Sequence, residues 1–274
     1  MIDSPFVPQS RALFIMLDKL RIVLIGTSHP GNIGGTARAM HNMGLADLAL
    51  VAPRCEVYGS ESHARASGAD ALVSNARVHA TLEEAVSDCT FVVGASARVR
   101  HLPWPMLTPR ALGERLPREC APENARAALV FGREDSGMTN GELQRCHAHV
   151  HIPTNPDFSS LNLAAAVQVL AYECRLAFLG SDAEDTETPF GVEWDNPPAT
   201  HDDLERFFEH LERTLIDIDF HDPDNPRQLM ARLRRLFLRT HIDSMEMNIL
   251  RGILGAVNKQ SRALAARKDG DGNG

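Results

Sequence analysis

Between Ala128 and Leu179 the chain uses one pattern twice, a short apolar run followed by a loop of small and polar residues. The first run, Ala128-Leu129-Val130-Phe131, breaks into Gly132-Arg133-Glu134-Asp135-Ser136-Gly137. The second, Val150-His151-Ile152-Pro153, opens into Thr154 to Asn162 and then into a long apolar segment ending near Leu179. Short apolar runs bounded by turn residues read as buried strands, and in an open α/β sheet ligands sit beyond the carboxyl ends of such strands. The stretch predicts an α/β domain with a cleft between these two loops.

The apolar segment that follows does not keep to one helical face. Leu163, Val167, Leu170, Cys174 and Ala177 lie on one side, and Leu161, Ala165, Val169 and Tyr172 on another. That distribution predicts a helix buried all round. Ser159 or Ser160 is expected to cap its start and Gly180 to end it. Asn162, Gln168, Glu173 and Arg175 interrupt it, which excludes a membrane span.

Elsewhere strand and helix signals alternate. Leu20 to Gly26 reads as a buried first strand, followed by a helix from about Asn32 to Met43, with Asn32 as cap and Gly44 as stop. Leu48 to Val51, Asn75 to Val78 and Thr90 to Val93 read as further strands. Ser62 to Gly68 and Thr81 to Val86 read as short helices, and Pro109 begins another that runs through Leu116. This rhythm means a mostly parallel sheet covered on both faces. After Gly180 no strand pattern appears. Asp202-Asp203 is expected to cap a helix carrying Leu204, Phe207, Phe208, Leu211 and Leu215, and helices over about 228–239 and 244–265 follow. The expected organisation is an N-terminal extension (1–18), an α/β domain (19–180), a linker (181–200), a helical region (201–268) and a disordered tail (269–274). The helical region is too small to bury much alone and is expected to pack on the first domain or a partner.

Composition narrows the function. Acidic residues outnumber basic ones, 36 to 28, so a nucleic-acid site has to depend on a local patch. The five cysteines are scattered, odd in number and never in CxxC spacing, which favours a reduced compartment and argues against structural zinc. No secretory pattern opens the chain, so a cytoplasmic location is expected. There is no GxGxxG opening a helix, no GxxxxGK[ST], no GxSxG elbow and no HExxH. At this level a hydrolase or a dehydrogenase remains open.

Three segments in order add a resemblance. Asn32-Ile33-Gly34-Gly35-Thr36-Ala37-Arg38-Ala39-Met40, Phe131-Gly132-Arg133-Glu134 and Ser160-Leu161-Asn162-Leu163 resemble the motifs of the SpoU/TrmH branch of the SPOUT RNA ribose 2'-O-methyltransferases. Leu102-Pro103-Trp104-Pro105-Met106-Leu107, Leu233-Arg234-Arg235-Leu236-Phe237 and Leu250-Arg251-Gly252-Ile253-Leu254 resemble the TrmJ group within it. The resemblance spans Leu20 to Val257. It implies a trefoil-knotted α/β fold with a C-terminal helical extension, and a homodimer formed through the knotted domain. It also implies S-adenosylmethionine as methyl donor, no metal, and the 2'-hydroxyl of cytidine or uridine 32 in the tRNA anticodon loop as acceptor.

Carried onto this sequence, the resemblance places the cofactor against Gly94, Ala95, Ser96, Gly132, Ile152, Ser160, Leu161 and Asn162. Gly94 and Gly132 are expected to let the backbone approach the adenosine, with Ile152 as an apolar wall. The catalytic set is Arg38, Asn32, Glu134, Ser160 and Asn162. Arginine stays protonated, so Arg38 is expected to hold a phosphate and stabilise a developing alkoxide instead of acting as a base. The histidines, His29, His101 and His151 among them, are read as structural or surface groups. For RNA, Arg98, Arg100 and Trp104 in the proline-rich loop and Arg232, Arg234, Arg235 and Arg239 in a stretch without acids form the expected patch. Two rivals remain: the same chemistry at another tRNA or rRNA position, and a non-catalytic RNA- or cofactor-binding protein.

Overall fold

Leu20–Ile25 (β1) is buried along its whole length, as a strand in the middle of a two-sided sheet must be. It pairs in parallel with Asp47–Val51 (β2) on one side and Ala127–Phe131 (β6) on the other. The computed structural model describes residues 17–96, 104–180 and 196–271. In it Arg77–His79 (β3), Phe91–Ala95 (β4), Met106–Leu107 (β5) and Ala148–Val150 (β7) complete a sheet of order β3-β2-β1-β6-β4-β7-β5, parallel throughout. Leu24, Phe131, Ala95, Val150 and Leu107 stand in one register row across five strands. The loops that follow those strands therefore emerge at one level, which puts Ser96 and Gly132 side by side.

Successive residues alternate faces. Ile22, Leu24, Leu129 and Phe131 join a core with Pro30–Met43 (α1), Pro109–Cys120 (α5) and Leu163–Gly180 (α7). Val23, Ile25, Ala128 and Val130 face Leu82–Val86 (α4) and Asn140–Leu143 (α6). Ser60–Ala66 (α2) and Asp70–Ser74 (α3) lie beside α1, so closely that a Cβ on Gly34 would sit 2.1 Å from Ser62 O.

Several boundaries differ from the sequence reading, each for a local reason. α1 begins at Pro30, capped by the His29 ring, which accepts from Gly31 N at 3.2 Å. Asn32 thus lies inside the first turn and its amide is free for other work. Gly44, at φ +77, ends the helix as expected. α7 is capped by Asn162, whose Oδ1 accepts from Ala164 N at 3.0 Å, and not by Ser159 or Ser160. β7 stops at Val150, before the Ile152-Pro153 part of the apolar run. The short strand β5 and the short helices α3 and α6 lack a periodic signal of their own. α7 is also not buried all round. Its Leu163, Val167, Leu170 and Cys174 side is buried against α1 and α5, while Leu161, Val169, Tyr172 and Leu179 are exposed.

His201–Asp217 (α8), Leu229–Leu238 (α9) and Ser244–Asp271 (α10) form the helical region around Phe207, Phe208 and Leu238. The cap of α8 is Thr200, with Asp203 closing a capping box, in place of the expected Asp202-Asp203 cap. α10 runs to Asp271, into the stretch expected to be a disordered tail. The region docks on the sheet domain. His201 N donates to Cys89 O at 2.8 Å, Asp202 N donates to Ser87 O, and His241 packs on Phe91 and His147. Trp104 bridges the two: its indole donates to Cys146 O at 2.8 Å, its ring stacks on His149, and it borders the helical core. Burial, with His241 and His201 nearby, holds His147 well below its usual pKa. Burial also lowers His201 and His241, so the seam is built of neutral rings.

At the amino-terminal end of the strands, beside this seam, Arg21 is 2% exposed and binds Asp47 at 3.0 Å, Asp88 at 2.6 Å and the Ala85 carbonyl at 2.6 Å. Asp47 also pairs with Arg77 and Arg126, so removing Arg21 leaves a cavity and a carbonyl of Ala85 without its donor, not an unpaired charge. Arg21→Ala is therefore expected to lower stability by about 2–4 kcal/mol in urea titration. Asp88→Asn, at a half-exposed carboxylate, should cost much less. Equal losses would contradict the assignment of Arg21 as the hub.

Candidate active site

The loops after β6 and β7, with the turn after β4, enclose a cleft of about 480 Å³. Ala95, Ser96, Gly132, Ile152, Leu161, Leu163 and Ala166 give it apolar or small walls. Asn32, Glu134, Thr154, Ser159, Ser160 and Asn162 give it polar edges. A few polar groups set in an apolar lining of this size suit a small organic cofactor.

Three segments far apart in sequence meet at its mouth through one side chain. Asn32 Nδ2 donates to Glu134 Oε1 at 3.0 Å, and Asn32 Oδ1 accepts from Asn162 Nδ2 at 3.2 Å. Asn162 in turn caps α7, and Glu134 also accepts from Ser28 N and Ser28 Oγ. Burial alone would raise the Glu134 pKa. The hydrogen bonds from Asn32, its own backbone and Ser28 outweigh that and hold it below the usual carboxylate range. A depressed folded value means that its contribution to stability is present above the unfolded value and lost as pH falls through the folded one. At neutral pH Glu134 is an anion that accepts hydrogen bonds and has no proton to give.

Asn32, Glu134, Ser160, Asn162, Ala95, Ser96, Gly132, Ile152 and Leu161 are thus brought to one cleft. The other expected site residues are not. Gly94 lies behind the wall, where a Cβ would meet Cys146 Sγ at 3.0 Å. Gly132 serves its own loop: a Cβ there would sit 2.3 Å from Gly137 C and 2.4 Å from Met138 N. Its bareness lets the loop fold back on itself, a role the sequence reading did not include. Arg38 is exposed on α1 outside the cleft, with no hydrogen bond or ion pair among the described residues. Trp104 is half-buried, with its indole N–H given to Cys146 O and its ring stacked on His149. Arg234 is also committed, making two bonds to Glu205 at 2.6 and 2.8 Å over the Phe208 ring. Arg232 and Arg239 are exposed at the two ends of α9, and Arg235 lies half-buried between them. Arg98 and Arg100 lie outside the described residues. His29 caps a helix and His151 Nδ1 lies 3.1 Å from Ser96 O, both structural placements.

The sequence reading missed Ser28, whose signal was only its place after β1. It also missed Glu142, for which a signal was present. Thr139-Asn140-Gly141-Glu142 has the spacing of a capping box, and the box forms.

Comparison with known proteins agrees with this geometry. Residues 19–172 match the SpoU rRNA methylase family, and residues 202–267 match the C-terminal domain of the tRNA methyltransferase TrmJ. The chain belongs to the SpoU rRNA methylase family, a family of RNA 2'-O-methyltransferases. Within it the similarity runs to TrmJ. The chain is 53% identical over 266 residues to the tRNA (cytidine/uridine/adenosine-2'-O-)-methyltransferase TrmJ of Pseudomonas aeruginosa, covering 93% of this chain and 100% of that one. It is 51% identical over 255 residues to the tRNA (cytidine/uridine-2'-O-)-methyltransferase TrmJ of Yersinia enterocolitica, covering 93% and 97%. The crystal structure of TrmJ from Z. mobilis ZM4 superposes with a TM-score of 0.73 at 33% identity, covering 86% and 98%.

Gly132→Ala is expected to displace the 132–138 loop and abolish measurable cofactor binding by calorimetry, with the circular-dichroism spectrum kept. Binding of wild-type strength would show that the loop tolerates the methyl group and would refute this role for Gly132.

Proposed function

We propose that the chain methylates the ribose 2'-hydroxyl of cytidine or uridine at position 32 of the tRNA anticodon loop, using S-adenosylmethionine, in the cytoplasm. The observation that carries this reading is the Glu134–Asn32–Asn162 chain, which ties the matched segments together at the mouth of the cleft. The names of the relatives supply the tRNA and the 2'-oxygen, and the Pseudomonas relative's name adds adenosine, so tolerance of the base is part of the reading.

When bound, S-adenosylmethionine supplies an electrophilic methyl group on a sulfonium. That group would be transferred to the ribose oxygen, the thioether being the leaving group and the hydroxyl proton passing to water or phosphate. Backbone and apolar groups of the Ala95-Ser96 turn, Gly132, Ile152 and Leu161 would hold the cofactor, with Ser160 and Asn162 as polar edges of the same cleft. Anionic Glu134 fixes the Asn32 amide. Arg38 places a permanent positive charge near the acceptor and offsets charge developing on its oxygen.

Arg38 reaches that oxygen in a homodimer. Gly35 of α1 packs on Ala164 of α7, with a Cβ on Gly35 placed 3.0 Å from Ala164 Cβ, so the exposed side of α1 adjoins the exposed stripe of α7. Val169, Tyr172 and Leu179 on that stripe, with Leu161 just ahead of the helix, are large exposed apolar groups that a second copy covers. Covering them brings Arg38 of one subunit toward the cleft of the other. Arg232 and Arg239, with Arg235 beside them, hold RNA phosphates on the helical region. The trefoil knot of the family is part of the same reading.

Mapping 2'-O-methyl groups in tRNA from cells with and without the gene tests the target. Loss of methylation at position 32 alone is expected, and loss elsewhere with position 32 intact would replace the proposed substrate. Arg38→Ala should cut single-turnover rate roughly 10²- to 10³-fold with little change in cofactor affinity. Replacing Arg232 and Arg239 should weaken tRNA binding and lower the log–log salt slope by about 0.7 to 0.9 per lost phosphate contact, with saturated turnover kept. A wild-type rate for the first variant removes Arg38 from the site, and an unchanged slope for the second returns that helix to plain solvated surface.

A further inference from the structure

The wall of the cleft formed by Gly132 to Met138 is a small hairpin, and its shape is set from behind. Arg133 N donates to Gly137 O at 3.1 Å and Gly137 N donates to Arg133 O at 2.8 Å. These two bonds close the turn but do not anchor it to the domain. Glu134 ties its front to Asn32 and Ser28, Asp135 meets Arg54, and the anchor on the rear side is the Arg133 side chain. It folds back, away from Glu134, and gives Glu142 two bonds, Nη1 to Oε2 at 3.0 Å and Nη2 to Oε1 at 2.8 Å. Glu142 also accepts from Thr139 N at 2.7 Å, at the point where the hairpin rejoins α6. One carboxylate thus grips the start of the hairpin through Arg133 and its end through Thr139.

Glu142 does not line the cofactor cleft. It stands in a separate cleft of about 270 Å³ behind the hairpin, with Arg133, Thr139, Arg145 and Glu83. Arg133 borders both clefts. Burial alone would raise the Glu142 pKa, and the bonds from Arg133 and Thr139 outweigh it and hold the group below the usual carboxylate range. The clamp is therefore an ion pair throughout the neutral range. It is mostly shielded, at 26% and 17% side-chain exposure, and bidentate, the geometry in which such a pair constrains as well as attracts.

We propose that Glu142 is a positioning residue for the cofactor: acting through Arg133 and Thr139, it holds the 132–138 hairpin in the conformation that binds S-adenosylmethionine. Glu142 touches neither cofactor nor RNA. Without the clamp the hairpin samples other positions, and the cofactor has to select the competent one, so the apparent affinity falls by the fraction of chains in that state. The inference rests on the reading that this cleft holds S-adenosylmethionine.

The test is calorimetry of S-adenosylmethionine binding to the full chain as wild type, Glu142→Ala, Glu142→Gln, Arg133→Ala and the Arg133→Ala/Glu142→Ala double variant, with tRNA affinity measured alongside. Glu142→Ala is expected to raise Kd about tenfold, the scale of one hydrogen bond to a charged group. Glu142→Gln should recover part of the loss, since its amide oxygen still accepts from Thr139 N. The double variant should bind no worse than the weaker single one, because the two side chains act as a unit. KM for the cofactor should rise with kcat and tRNA affinity little changed. If wild type fails to bind the cofactor, the underlying reading falls. If wild type binds and Glu142→Ala and Glu142→Gln bind equally well, the clamp is overturned. Additive losses in the double variant overturn it too, by assigning Arg133 a direct contact of its own. Should Glu142→Ala not fold, Glu142→Gln with Arg133→Lys decides by the same comparison.

Discussion

The amide of Asn32 is the constraint on which the cleft depends. Its nitrogen needs an acceptor and its oxygen a donor, and each is supplied by a different segment, Glu134 after β6 and Asn162 at the head of α7. Because Asn162 commits its own oxygen to the first turn of α7, its nitrogen is the part left to face Asn32. A shift of any one segment breaks its bond to the next and leaves those groups to water. This makes the site a statement about the whole sheet. The flush ends of β1, β6, β4 and β7 put the loops within reach, and the helix cap fixes the angle at which α7 leaves them.

The two clefts are supported from one short step of chain. Glu134 and the Arg133 side chain depart from neighbouring residues in opposite directions, one toward the cofactor cleft and one toward Glu142 behind it. Alternation along an extended segment sends adjacent side chains to opposite sides, so a two-residue step serves chemistry on one side and anchorage on the other.

Much of the architecture was legible because it is written in local patterns. The apolar runs marked the central strands, and Gly44 marked the end of α1. The two-faced character of α7 was legible residue by residue, as an apolar surplus expected to be shared between core and a dimer interface, though which residues fell on which side was not. Leu161, Val169 and Tyr172 read as core, and they lie at the surface because one chain has nothing to place over them. What failed was long-range pairing. Arg234 looked like part of a basic patch until Glu205, 29 residues earlier, neutralised it. Trp104 reads as a stacking platform for a base, and the structure shows its ring already stacked on His149 of β7. Gly132 was rightly expected to matter, but its neighbour is its own hairpin and no pattern in the sequence says what a missing side chain makes room for.

The strand order carries a consequence for how the chain is made. β6 lies between β1 and β4, and β7 between β4 and β5, although in each case the flanking strands are synthesised first. While the chain emerges, β1 and β4 wait with open edges, and the gap between them closes only once Ala127–Phe131 has left the ribosome. Open apolar edges are the surfaces on which nascent chains aggregate. The central position of a late strand therefore makes the N-terminal half a dependant of the second half. A fragment ending before β6 keeps α1 to α5 but has no continuous sheet to lay them on.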